Sequence, residues 1–228
     1  MATAIGENFG EHNPGNDFKL NQSERIFAKI FSYIFHPVFV PLYVVAFLLY
    51  VHPSAFTGFD AVAKRQTIII IAVNLVFFPL LSVLLLRALK FIDSIYLRTQ
   101  KDRIIPYIAS GIFFFWGYTV FKQQPAYPLI LTSFVLGIFL ASSACLMANI
   151  YFKISMHATG MGSWLGVFII LLFQNEMLMT WPLAAVVLIT GLVFSSRLLL
   201  STHAKKDMYA GLLVGLLTQF IAYFVVVG

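Results

Sequence analysis

Residues 127–152 read YPLILTSFVLGIFLASSACLMANIYF, 26 positions without a single Asp, Glu, Lys or Arg. A helix rises about 1.5 Å per residue, so this run can cross the roughly 30 Å hydrocarbon layer of a bilayer. Lipid suits such a segment, because a helix satisfies its own backbone polar groups and leaves none to the hydrocarbon. Six further apolar runs lie near residues 37–51, 66–90, 104–121, 158–175, 179–200 and 207–227. The first is short unless residues 25–36 (RIFAKIFSYIFH) join it. In that stretch Arg25 and Lys29 recur at helical spacing among bulky apolar residues. This is the pattern of an interfacial helix, or of the lower end of a first span broken by Pro37 and Pro41. Polar punctuation such as His52-Pro53-Ser54 and Gln174-Asn175-Glu176 separates the runs. The fold class expected is all-α: a polytopic transmembrane helical bundle of six to seven spans.

Composition narrows the function classes. The 228 residues are 60% hydrophobic and 11% charged, against about 25% charged in soluble domains, and the mean hydropathy is +0.89. An ordinary soluble enzyme, a disordered chain and a disulfide scaffold are excluded; Cys145 is the only cysteine. The formal charge is +6, but basic residues in so apolar a chain belong at lipid headgroups, so membrane lipids rather than nucleic acid are the partners expected. Residues 1–24 are polar, with no apolar core of a signal peptide, and read as a mobile tail. Residues 25–228 read as one transmembrane domain. Threading seven spans alternately gathers the tail and residues 91–103, 153–157 and 201–206 on one face. Of the 15 Lys and Arg, only Lys64, Arg65 and Lys122 fall nearer the other face. The positive-inside rule then makes the first face cytoplasmic.

Ionisable groups at span ends are costly and mark functional candidates. Three clusters fall on that same face. Arg98, Lys101 and Arg103, with Pro106 at the start of a span, form a set of cations able to clamp an anion; taken alone, a basic loop anchoring the span to headgroups is the commoner arrangement. Lys153-Ile154-Ser155-Met156-His157 offers a hydroxyl, helix-start N–H groups and a titratable imidazole, or else a cap and an interfacial histidine. Ser196-Arg197, His203 and Asp207 complete the set. An Asp four residues after a His can share its helical face and fix its tautomer, and Arg197 can grip phosphate oxygens with a planar fork. His12, His36 and His52 have no partner identifiable in the sequence and are assigned no role.

Arg197-x5-His203-x3-Asp207, preceded by Ser196, resembles the third signature (S-R-x5-H-x3-D) of the type 2 phosphatidic acid phosphatase superfamily. Ile154-Ser155-Met156-His157 stands where that family has P-S-G-H, with Ile154 and Met156 replacing its Pro and Gly. Lys101, Arg103 and Pro106 match its first signature, K-x6-R-P, in chemistry but not in spacing, and Arg98 is an alternative to the lysine. The resemblance covers residues 98–211. It implies a metal-independent, cofactor-free lipid phosphate phosphatase. In that chemistry His203 attacks phosphorus, Asp207 holds its ring, and His157 protonates the leaving oxygen. Arg197, Arg103, Lys101, Arg98 and Ser155 hold the phosphoryl oxygens. The substrate implied is a lipid phosphate or a polyprenyl diphosphate, and bacterial relatives work on the outer face, against the charge count. The alternative is a non-catalytic polytopic lipid-binding or transport protein, which would also use Gly211 and Gly215, a G-x-x-x-G pair suited to close helix packing.

Overall fold

A computed structural model describes residues 21–95, 97, 99–200 and 204–228. Among these residues there are nine α-helices and no strand. They are α1 (Gln22–Ile34), α2 (Val40–Tyr50), α3 (Ala61–Ile71), α4 (Phe78–Ala88), α5 (Gln100–Lys122), α6 (Leu129–Ala148), α7 (Met156–Gln174), α8 (Thr180–Leu199) and α9 (Lys205–Val227). A 3-10 turn at Pro37–Phe39 joins α1 to α2, and a π-helical segment at Ala72–Phe77 joins α3 to α4. Each pair makes one long apolar stretch, so the described residues contain seven helices long and apolar enough to cross a membrane. The π segment has a local cause. Pro79, in the first turn of α4, brings no N–H to the helix and its ring crowds the preceding turn, which widens to receive it.

Three boundaries differ from the sequence reading. The polar tail expected over residues 1–24 gives way to α1 at Gln22, because Asn21 and Glu24 form a capping box that satisfies the first free amides. The rest of the tail lies outside the described residues. Residues 25–36 belong to α1 and the bend after it; α2 follows with Pro41 in its first turn, where a missing N–H costs little. Pro106 does not open α5. Thr99 and Asp102 cap that helix at Gln100, and the proline falls inside it.

The core forms where α7 and α9 pack side by side, with α6 against α9 and α5 against α6. Val167, Phe168 and Leu171 of α7 are buried with Leu131, Phe134 and Val135 of α6. The α7–α9 contact is made of bare backbone. A Cβ placed on Gly215 would collide with the carbonyl of Thr159 and the amide of Ser163, and one on Gly162 with the carbonyl of Leu212. Apolar side chains gain little from meeting one another inside lipid, so close approach of small residues supplies the van der Waals contact instead.

Gly215→Leu is therefore expected to destabilise the bundle by about 3 kcal/mol or more, since backbone atoms cannot move aside as a flexible side chain can. Gly191→Leu, where a Cβ meets nothing within 4 Å, should be near neutral. Thermal unfolding of the two variants in one detergent measures the difference.

Candidate functional site

The three segments singled out in the sequence converge at one end of the bundle, and one peptide group joins them. The carbonyl of Ile154 accepts from Nη1 of Arg103 at 2.9 Å. The N–H of the same peptide, that of Ser155, donates to the carbonyl of Asp207 at 3.2 Å. Arg103 is 3% exposed, and its Nε donates to the carbonyl of Leu97 at 2.9 Å. Its fork thus braces the loop before α5 against the loop before α7, a task for a planar guanidinium with several fixed donors. Asn149 adds a second tie, donating from Nδ2 to the carbonyl of Gln100 at 2.9 Å.

Ser155 is fully buried and caps α7, its hydroxyl accepting from the amide of Ala158 at 3.4 Å. His157 lies in the first turn of the same helix, nearly buried, with Nε2 3.3 Å from the carbonyl of Ser32. A carbonyl only accepts, so that hydrogen bond puts the imidazole proton on Nε2. Asp207 is buried in the first turn of α9, within electrostatic reach of Arg103 and Lys153. Arg197, in the last turn of α8, feels the charge of Arg103. Asp102 is also buried here, but its carboxylate accepts from the amides of Thr99 and Asp93 as part of the α5 cap.

Lys101 is exposed at the start of α5, two residues from Arg103 and so on another side of the helix. It is not brought into the cluster. Arg98 and His203 lie outside the described residues. Lys153, already part of the second cluster, and His36, given no role in the sequence reading, also belong here. Lys153, half-buried, has its ammonium held below the ordinary lysine range by burial and by neighbouring Arg103, with Asp207 working the other way. His36 meets His157 edge-on, with ring centroids 4.9 Å apart, and is close enough to Arg197 to feel its charge. Nothing in the sequence connects His36 to a helix 120 residues away.

Arg103, Lys153 and Arg197 thus lie within one another's field, Asp207 acts on the first two, and the paired rings of His36 and His157 border Arg197. Such an arrangement favours an anion, because charges of one sign crowded in a low dielectric need a counter-charge. Among the described residues no three His, Cys, Asp or Glu side chains gather as a metal site would need. Tyr107, Cys145 and Ile154 form the apolar floor. From Tyr107, one helical turn past Arg103, a groove of about 660 Å³ runs between α5 and α6, lined by Gly111, Phe115, Trp116, Phe139 and Leu146.

His52, on the opposite face, also has partners. Its Nδ1 accepts from the amide of Ala55 at 3.2 Å and lies 3.4 Å from the hydroxyl of Ser54, which donates to Glu176. The loop before α3 is thereby tied to the loop before α8. Burial pushes the His52 pKa below the ordinary histidine value, and Glu176 offsets this in part.

The chain matches no family model, no curated protein and no solved structure.

Arg103→Lys removes the fork while keeping the charge. A lysine cannot hold both the Leu97 and Ile154 carbonyls in that geometry, and the loss of one charged hydrogen bond is expected to cost about 1.5–3 kcal/mol in thermal unfolding. His52, with its pKa depressed in the fold, binds protons more readily once unfolded. Its contribution to stability is present above the ordinary histidine value and is lost as pH falls through the folded one. Melting temperature should therefore decline on acidification below about pH 6.5. The decline should be shallower in His52→Asn, which keeps an acceptor for Ala55 but does not titrate.

Proposed function

We propose that this protein is a membrane-embedded phosphatase that hydrolyses a phosphomonoester or diphosphate of a lipid through a phosphohistidine intermediate. The observation that carries the reading is the Ile154–Ser155 peptide group, which joins Arg103 to the start of α9 and so gathers Arg103, Lys153, Arg197, His157 and Asp207 at one end of the bundle. The phosphate head of the lipid sits among these cations. Its hydrocarbon tail has an apolar path beside the site, in the groove between α5 and α6.

In this reading a ring nitrogen of His203 attacks phosphorus. The N–P bond forms as the bond to the leaving oxygen breaks, and His157, entering as the imidazolium, gives that oxygen its Nε2 proton and is left neutral. Water then attacks the phosphohistidine, His157 takes the water's proton, and phosphate leaves as the N–P bond breaks. Arg197 holds the equatorial oxygens, where charge positioning carries most of the rate. Arg103 acts through its charge and through the loops it braces, since two of its donors are taken by carbonyls. Asp207 orients the His203 ring and offsets the surplus of positive charge. His157 has to exchange the Ser32 carbonyl for the leaving oxygen, so the last turn of α1 shifts when substrate enters. The Lys and Arg distribution favours a cytoplasmic position for this end of the bundle, which topology reporters at the two termini test.

Purified protein, supplied with a panel of lipid phosphates and diphosphates in excess chelator, should release inorganic phosphate. A His203→Asn variant of unchanged melting temperature should not, with a loss of about a thousandfold or more. Activity that persists in the variant would exclude the phosphohistidine. No release from any substrate, with lipid phosphates still bound, would instead identify a lipid-binding protein.

A further inference from the structure

We infer that His36 is an anion-binding residue of this site, contributed by the first span, whose Nε2–H donates to a non-bridging oxygen of the phosphate held beside Arg197. The inference rests on the phosphate-headgroup reading above and adds a residue outside the three motif segments.

The ring is set by its own backbone. His36 caps the Pro37–Phe39 turn, and the amide of Val38 donates to its Nδ1 at 3.4 Å. An amide can only donate, so Nδ1 is the bare nitrogen and the neutral ring carries its proton on Nε2. The turn is seated firmly on α7. A Cβ on Gly160, three residues after His157, would come within 2.7 Å of Cβ of Pro37. That close approach brings His36 edge-on to His157, at an interplanar angle of 83°, and within the field of Arg197. One turn earlier the carbonyl of Ser32 meets Nε2 of His157. The end of the first span therefore meets His157 twice, through the His36 ring and the Ser32 carbonyl.

The chemistry also favours a histidine at this place. Arg103, Lys153 and Arg197 already repel one another. A neutral N–H adds a hydrogen bond to a phosphate oxygen without adding a further positive charge, whereas another Arg or Lys would raise the cost of assembling the empty site.

Two substitutions separate this role from the capping role. In His36→Asn the side-chain oxygen ends near the Nδ1 position and keeps the cap on Val38, but no N–H reaches the Nε2 position. In His36→Gln the amide reaches the Nε2 position and the cap is lost. Binding of inorganic phosphate, and separately of a short-chain phosphatidate, is measured by calorimetry on the detergent-purified full chain at pH 8, where the ring is neutral. The expected result is near-native binding by His36→Gln and a loss of about tenfold or more by His36→Asn. Thermal stability should follow the opposite order. Tighter binding of phosphatidate than of phosphate makes the lipid headgroup the ligand; equal binding makes it free phosphate. Native binding by His36→Asn, or equal losses in both variants, overturns the assignment. Absence of phosphate binding by the unaltered protein overturns it together with the phosphate-headgroup reading. Binding that follows the expected pattern in a protein that hydrolyses no lipid phosphate sustains His36 while the phosphatase reading fails.

Discussion

A single peptide group, Ile154–Ser155, holds the organised end of this protein together. Its carbonyl takes a hydrogen bond from buried Arg103, and its amide gives one to Asp207 at the start of α9. Three stretches far apart in sequence are thus locked at one level of the bundle. The lock works because neither partner can escape to water. Inside a low dielectric an unmet donor or acceptor is costly, so each of these hydrogen bonds fixes geometry as well as adding stability.

The close packing of α7 on α9 is what allows that peptide to be reached. Gly211, Gly215 and Gly162 let two backbones touch, which brings the first turn of α7 against the first turn of α9. Larger residues would hold the helices apart and lengthen the Ser155–Asp207 hydrogen bond beyond use. His157 and Asp207 occupy those same turns. The stripe of small residues therefore works as a spacer for the site, with helix packing and site geometry as one constraint.

The electrostatics follow from this packing. Once the loops are drawn together, Arg103, Lys153 and Arg197 lie within one another's field, and Asp207 answers only part of their charge. Repulsion and desolvation both oppose gathering these cations. The strain is tolerated because the helices behind the site are well packed, with Val167 and Leu171 of α7 and Leu131 and Val135 of α6 fully buried.

The sequence by itself determined the helical, membrane-spanning class, because hydropathy and length are local properties that lipid reads directly. Runs such as residues 127–152 needed no tertiary partner to be recognised, and the alternation of loops placed Arg103, His157, Arg197 and Asp207 on one face. Tertiary structure decided the rest. Pro106 suggested a helix start, but the Thr99–Asp102 capping box set it at Gln100. Lys101 and Arg103 looked equivalent as cations, yet helical rotation buried one and exposed the other. His36 was silent in the sequence, because its partner lies on a helix that only packing brings near. Helical propensity is written over a few neighbouring residues; a site built from six helix ends depends on which backbones can touch, and the three-dimensional fit of Gly162, Gly211 and Gly215 decided that.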